Sequence, residues 1–285
     1  AADAQDFDRA IAIMTDVTLW GVPNLKANAL QLVAVWRDEK ARKEKLAETQ
    51  RFSIMIAHAE KIFSALQNRE YATAQTAAAE AAHDTRLGDE AKKFHLLQED
   101  IKSLESLWGD AEQRLQAMKP GDNVRLDSIL RKFVKFENGV VTAQVSGQIK
   151  TLPLRAMRDV DLFELLAAHF TGNDSDPKPC LKRGLFYTFD KFRKLDKARK
   201  DFDAAEKRGA AAEAARGREY IRLFTDLEPE RAAIKLLVEA RAAAAQQLWK
   251  KLDEKLKELV KYGETEACRR SAAELTELVL LAAGR

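Results

Sequence analysis

The sequence is poor in the two residues that most often interrupt helices. Its 285 residues include only 12 glycines and 6 prolines. Both are disfavoured inside helices, whereas alanine, leucine, glutamate, lysine and arginine favour them. Apolar residues make up 46% of the chain and charged residues 33%, so the chain has enough apolar residues for a sizeable core and enough charge for a polar surface. We therefore predict a soluble, mainly α-helical protein.

Cysteine is nearly absent. Only Cys180 and Cys268 occur, and they lack the CxxC spacing that zinc and redox sites use. We expect two buried free thiols, with a single Cys180–Cys268 disulfide as the alternative. No run of about 18 uncharged apolar residues occurs, which predicts no membrane span. The net charge of +3 requires neither nucleic acid nor an anionic membrane as a partner.

The spacing of apolar residues divides the chain into three segments. Residues 1–118 and 158–285 have helical spacing, whereas residues 119–157 alternate β-branched and aromatic residues around the turn signal Asn138-Gly139. We predict an N-terminal helical domain, a small antiparallel β insert of four strands and a C-terminal helical domain. The clearest helical period is an a/d seam in the first domain, formed by Phe94, Leu97, Ile101, Leu104, Trp108, Ala111, Leu115 and Met118.

The helix boundaries follow from the same spacing. In the C-terminal domain it predicts separate helices over about 210–225 and 229–261 and one helix over 264–283. The charged stretch 37–51 predicts a solvated helix held by i,i+4 ion pairs, with a partner-binding arm as the alternative. Trp108 and Phe202 should be buried between helices.

Two helical stretches resemble tetratricopeptide-type hairpins, in which small residues let antiparallel helices pack closely. The residues that carry the resemblance are Leu185, Phe189, Leu195, Ala198, Phe202 and Ala205 in one stretch and Tyr71, Ala74 and Ala81 in the other. Phe186 stands where the family usually has glycine, and Ala78 replaces the usual large residue. The β insert resembles an SH3-like small barrel. Together they are similar to modules of large bacterial multidomain proteins, which implies a scaffolding or protein-interaction role.

Sequence motifs for catalysis do not occur. The chain contains no GxGxxG, GxxxxGK[ST], HExxH or GxSxG motif, and its four histidines are scattered over separate helices. His95 and Glu99 share a helix face, which we interpret as surface or packing residues rather than metal ligands. We predict no enzyme, no cofactor, no catalytic residue and no metal site.

Positive charge is concentrated in two places. Residues 119–158 contain eight bases against three acids, and residues 178–200 contain nine bases against two acids. The candidate partner-binding residues are Lys132, Lys135, Lys150, Lys191, Arg193 and Lys194. Phe186, Tyr187, Phe189 and Phe192 lie among the second group of bases, where they would either stack on nucleic acid or form the core. The leading prediction is a non-catalytic module that binds a protein partner, and the alternative is a nucleic-acid-binding protein.

The first residues, AADAQDF, lack an initiator methionine. Small residues of this kind flank signal-cleavage sites, and a boundary inside a longer chain gives the same appearance. We take a periplasmic protein as the expectation and a cytoplasmic one as the alternative.

Overall fold

A computed structural model describes residues 4–18, 23–167, 175–191 and 193–284. Helix makes up 76% of it, in eleven α-helices with one small four-stranded antiparallel sheet, which confirms the mainly α prediction. The α-helices are α1 (Ala4–Val17), α2 (Pro23–Gln67), α3 (Tyr71–Ala82), α4 (Ala91–Ala117), α5 (Asp159–Leu165), α6 (Lys178–Phe189), α7 (Leu195–Lys207), α8 (Ala211–Ala245), α9 (Trp249–Leu259), α10 (Glu266–Arg270) and α11 (Ala272–Ala283). Short 3₁₀ helices cover Thr85–Glu90, Leu154–Ala156 and Val260–Tyr262.

The chain folds into two compact units. The central unit comprises residues 57–227, and the terminal unit comprises residues 1–56 and 228–285. Helices α2 and α8 contribute residues to both. These units follow from contacts between distant parts of the chain, and the division into three domains at 1–118, 119–157 and 158–285 stays a prediction.

Two helical hairpins form the core of the central unit, α3 with α4 and α6 with α7. Trp108 on α4 is 3% exposed and donates a hydrogen bond to the Tyr71 hydroxyl on α3 at 2.8 Å. Phe202 on α7 is fully buried, and its ring lies where Gly184 of α6 and Gly217 of α8 leave space. Both predicted interface positions are therefore confirmed, and large aromatic rings fix both hairpins.

The sheet lies within the central unit. Its strands are β1 (Asn123–Leu126), β2 (Ile129–Glu137), β3 (Val140–Val145) and β4 (Gln148–Pro153). They pair in sequence order, with the register Phe133↔Ala143 and Val141↔Leu152 and a bulge between Phe133 and Lys135. Val124, Leu126, Phe133, Val141 and Ala143 are buried, so one face of the meander supplies its core.

The terminal unit has its own apolar cluster, formed by α8, α9, α10 and α11. Buried Glu230 of α8 accepts a hydrogen bond from the Ala267 amide at 2.9 Å, which caps the first turn of α10. The charged stretch 37–51 is continuous helix within α2, mostly exposed, with ion pairs such as Lys43–Glu39 at 3.6 Å. It has the properties predicted for a solvated helix.

Three helix boundaries differ from the predicted ones. The predicted break between 225 and 229 does not occur, because α8 continues through Pro229 to Ala245. The break falls instead at Gln247, which adopts a left-handed φ of 56°. There Leu248 N–H donates to Ala243 O at 2.8 Å and closes the helix end. The predicted helix 264–283 is divided at Ser271 into α10 and α11.

Candidate functional site

The structure separates the three candidate lysines of the sheet. Lys132 pairs with Gln144 and Lys135 with Thr142, so both lie on the exposed face. Lys150 pairs with Ala143 and therefore points to the opposite face, where it forms an ion pair with Asp127 at 2.9 Å. Lys135 forms an ion pair with Glu137 at 2.7 Å. The three lysines do not form one binding surface.

The other three candidates follow α6, and the structure brings two of them together. Lys191 and Arg193 line a cleft of about 460 Å³ in the central unit. Lys194 instead forms an ion pair with buried Asp159 at 2.5 Å. We call this site the basic cleft, and it is lined by Gln67, Asn68, Arg69, Arg155, Lys191 and Arg193.

Arg69 lies at the buried floor of the basic cleft. It follows the C-terminus of α2 with a left-handed φ of 60°, and the Glu70 amide donates to Ala65 O at 2.9 Å to close the helix. This position is usually glycine. Its side chain is 3% exposed, and its guanidinium donates to the Asp190 carboxylate at 2.5 and 2.7 Å. The buried cation is thus neutralised by a carboxylate.

Arg155 is exposed in the short helix Leu154–Ala156 and is oriented by neutral groups. Its Nη1 donates to the backbone oxygen of Arg69 at 2.9 Å, while Arg69 Nη1 donates back to the Arg155 oxygen at 2.5 Å. Its guanidinium also lies 5.3 Å from the Tyr71 ring centre. Burial raises the pKa of Tyr71, although the hydrogen bond from Trp108 and the charge of Arg69 oppose the rise. The phenol is therefore neutral at physiological pH.

Arg193 is exposed in the loop after α6 and also has neutral partners. Its backbone amide donates to Asp190 O at 2.9 Å, which fixes the loop. Its guanidinium lies 4.3 Å from the Phe224 ring centre. When the side-chain amide of Gln67 is oriented with its oxygen towards Arg193, this oxygen accepts a hydrogen bond from Arg193 Nε at 2.8 Å.

The electrostatic character of the basic cleft follows from these partners. None of its six lining residues is acidic. Across the described ranges, neither Arg155 nor Arg193 forms an ion pair with a carboxylate, whereas Arg69 does. Cation–π contacts and hydrogen bonds to neutral oxygens orient a guanidinium without cancelling its charge. The arrangement can therefore bind an anion with little reorganisation.

Sequence reasoning found only part of this cleft. Arg155 was counted with the bases of residues 119–158, and Gln67, Asn68 and Arg69 were not among the candidate residues. Arg69 lies 86 positions from Arg155 and 121 positions from Asp190, which accept its hydrogen bonds. The one local signal is the polar run Gln67-Asn68-Arg69-Glu70, which indicates a turn.

The aromatic residues near the cleft do not form a stacking surface. Phe186, Tyr187 and Phe189 are 1%, 9% and 2% exposed, which confirms the core interpretation for these three. Phe192 lies outside the described residues. Burial raises the pKa of Tyr187 to about 12, with the charges of Asp159 and Asp201 adding to the rise.

Other chemistry is sparse in the part of the chain that the structure describes. No group of three histidine, cysteine, aspartate or glutamate side chains is placed to hold a metal ion. Cys180 and Cys268 are both buried and free, as expected. His169 lies outside the described ranges. Among the helices described, none is long and apolar enough to cross a bilayer.

Comparisons with protein-family models, curated proteins and solved structures give no match to this chain. The basic cleft is therefore interpreted from its own residues. The resemblance to tetratricopeptide hairpins and SH3-like barrels stays a prediction.

Proposed function

We propose that this chain is a non-catalytic interaction module whose basic cleft binds an acidic segment of a partner protein. The observation that carries the proposal is the pair of guanidiniums, Arg155 and Arg193, held in place by neutral groups beside Lys191. Guanidiniums with this environment keep their charge available for a carboxylate, to which arginine binds through paired hydrogen bonds.

The supporting structure is rigid for a surface site. Arg69 donates to two carbonyl oxygens, Arg155 O and Met157 O, and to Asp190, and so ties together three segments that are distant in sequence. Because the Arg155 and Arg193 side chains are already oriented, binding an acidic segment loses less conformational entropy than ordering free side chains would. A volume of about 460 Å³ is in the range of clefts that hold small ligands or peptide side chains.

The same geometry makes nucleic acid the weaker proposal. Non-specific single-strand binding combines a basic track with aromatic side chains on which the bases stack. The three described aromatics of α6 are in the core, and the sheet lysines lie on two different faces. We therefore keep nucleic-acid binding as an outcome of the test.

The test is binding of a fluorescein-labelled, glutamate-rich peptide, measured by anisotropy at low and physiological salt. We expect Arg193→Gln to weaken binding by about tenfold, since a charge-assisted hydrogen bond contributes about 1.5–3 kcal/mol. The matched control is Arg199→Gln, because Arg199 is also exposed and its ion pair with Asp196 at 3.1 Å already compensates its charge.

Two results would overturn the proposal. One is equal affinity of the parent and the Arg193→Gln protein for the peptide, with both proteins folded. The other is a labelled single-stranded oligonucleotide that binds more tightly than the peptide at about 0.15 M salt, where interactions between exposed charges are screened beyond about 8 Å.

A further inference from the structure

We propose that the group bound in the basic cleft is a phosphoryl group, carried by a phosphorylated serine or threonine of the partner. The inference rests on the proposed function and narrows its ligand from any acidic side chain to one chemical class. It follows from the charge of the cleft and from the number and placement of its hydrogen-bond donors.

The charge of the cleft matches a dianion better than a carboxylate. Arg155 and Arg193 keep two positive charges that no described carboxylate compensates, and Lys191 lies beside them. A phosphorylated side chain carries a charge of about −1.5 to −2 at pH 7, whereas a glutamate carries a single negative charge. One phosphoryl group would therefore balance both guanidiniums, and one carboxylate would leave positive charge over.

The donors come from three separate chain segments. Asn68 lies in the turn between α2 and α3, Arg155 in the short helix after β4, and Arg193 in the loop after α6. Each guanidinium has five N–H donors and uses only some of them on the protein. A carboxylate offers two oxygens in one plane, whereas a phosphoryl group offers three around a tetrahedral centre. Donors that come from several chain segments therefore fit the tetrahedral phosphoryl group better than the planar carboxylate.

The position of Arg69 supports the same ligand. Its charge is cancelled by Asp190, so it contributes little to the charge of the cleft. Its backbone oxygen accepts from Arg155, and its guanidinium holds the backbone before and after Ala156 through the Arg155 and Met157 oxygens. Arg69 therefore acts as a positioning residue for Arg155, and the exposed guanidinium would contact the phosphoryl oxygens.

The experiment compares three labelled peptides of otherwise identical sequence, with phosphoserine, glutamate or serine at the central position. Binding to the full chain is measured by anisotropy at about pH 7.5 and about pH 5, on either side of the second phosphate pKa near 6. We expect the phosphoserine peptide to bind about tenfold more tightly than the glutamate peptide at the higher pH, and the serine peptide to bind most weakly. Inorganic phosphate should compete with the phosphoserine peptide.

The pH arm separates the two acidic ligands. As the pH falls to about 5, the phosphoryl dianion takes up one proton and becomes mostly a monoanion, while glutamate, with a pKa near 4.3, remains mostly ionised. The advantage of the phosphoserine peptide should shrink there.

Variants test the role of each guanidinium. Arg193→Lys keeps the charge and removes the planar fork, so it should weaken binding of both peptides less than Arg193→Gln does and should retain the preference for phosphoserine, which follows from charge. Arg193→Gln should weaken binding of both peptides, and Arg199→Gln should leave both unchanged. Circular dichroism on each variant confirms the fold.

Each failure has its own meaning. If the glutamate peptide binds as tightly as the phosphoserine peptide, the phosphoryl inference is wrong and the acidic-segment function stands. If the phosphoserine peptide binds and the glutamate peptide binds no more tightly than the serine peptide, the phosphoryl inference stands, and the acidic segment that the cleft binds is limited to phosphorylated ones. If neither binds, or an oligonucleotide binds more tightly than both, both proposals are wrong.

Discussion

The basic residues of the cleft and those of the sheet have different partners. Lys135 and Lys150 of the sheet each form an ion pair with a nearby carboxylate, and the four side chains involved are between 37% and 61% exposed. Arg155 and Arg193 of the cleft are held by aromatic rings and neutral oxygens. Both regions are rich in bases, but Arg155 and Arg193 are held by neutral groups, whereas Lys135 and Lys150 are each paired with a carboxylate.

Local charge counts therefore do not identify a binding surface by themselves. A lysine beside a solvated carboxylate contributes little net field and little stability. A guanidinium oriented by neutral groups contributes its whole charge and needs no rearrangement before binding. What distinguishes the two regions is the chemical nature of the groups that hold each base.

The largest expected effect comes from the buried carboxylate of Asp190, which is the counter-ion of Arg69. Asp190→Ala leaves the Arg69 guanidinium buried without its counter-ion, which should lower the free energy of unfolding by about 3–5 kcal/mol. The matched change in the sheet, Glu137→Ala, removes an exposed partner of Lys135 and should cost less than about 1 kcal/mol. Urea unfolding followed by circular dichroism measures both.

A double variant decides the cause of that loss. Arg69→Met combined with Asp190→Ala removes the stranded charge together with its partner, so it should recover part of the stability. If the double variant is no more stable than Asp190→Ala, the loss does not come from the buried charge.

The next largest effect concerns the α6–α7 hairpin, whose loop carries Lys191 and Arg193. A Cβ added at Gly217 would lie 2.3 Å from the Phe202 ring, which is fully buried. Gly217→Ala should therefore displace this ring and lower the free energy of unfolding by about 1–3 kcal/mol. Gly109 of α4 is the control, because a Cβ there meets nothing within 4 Å. Gly109→Ala should stabilise the protein by up to about 1 kcal/mol through helix propensity alone.

The outcome for Gly217 also tests the packing of α6, α7 and α8. If Gly217→Ala is as stable as Gly109→Ala, the Phe202 ring is not held in the space left by Gly184 and Gly217.

Features encoded locally were predictable from the sequence. The sheet follows from a period of two and from Asn138-Gly139, where both residues adopt left-handed φ values of 50° and 73°. The end of α8 was missed because Gln247, not glycine, adopts the left-handed conformation, and Pro229 lies inside the helix instead of ending it. Propensity predicts a break at Pro229, which the fold overrides, and gives no signal for the left-handed conformation of Gln247.

The basic cleft was predictable only in part for the same reason. A high local density of bases identified Lys191 and Arg193. The same criterion selected Lys194, which is used in an ion pair with Asp159, and placed Arg155 with the sheet. Which base is compensated depends on residues brought together by the fold, and a count along the chain contains no information about them.

The smallest expected change in the free energy of unfolding concerns Asp161 of α5, a buried carboxyl with only one of its two oxygens hydrogen-bonded in the part of the chain that the structure describes. Asp161 is 1% exposed, and its Oδ1 accepts from the Ser128 amide at 2.9 Å, while its Oδ2 has no hydrogen-bond partner among the described residues. Burial raises the pKa of Asp161, although the amides of Ser128 and Asp127 oppose the rise. This contrasts with Arg69, the buried cation of the cleft, which is fully paired.

The sign of the effect follows from that raised pKa. The folded state binds the Asp161 proton more tightly than the unfolded state does, so the stabilising contribution is present at low pH and is lost as the pH rises through the folded pKa. Asp161→Asn keeps an acceptor for Ser128 and removes the charge. It should therefore raise the free energy of unfolding at pH 7 by on the order of 1 kcal/mol. The gain should shrink as the pH falls towards about 4, near the ordinary aspartate pKa.

Asp159→Asn on the same helix is the control, because it removes a charge that Lys194 pairs with and should destabilise the protein at pH 7. An Asp161→Asn protein that is less stable than the parent at pH 7 and equally stable near pH 4 would show that the ionised carboxylate is the favoured form at this contact.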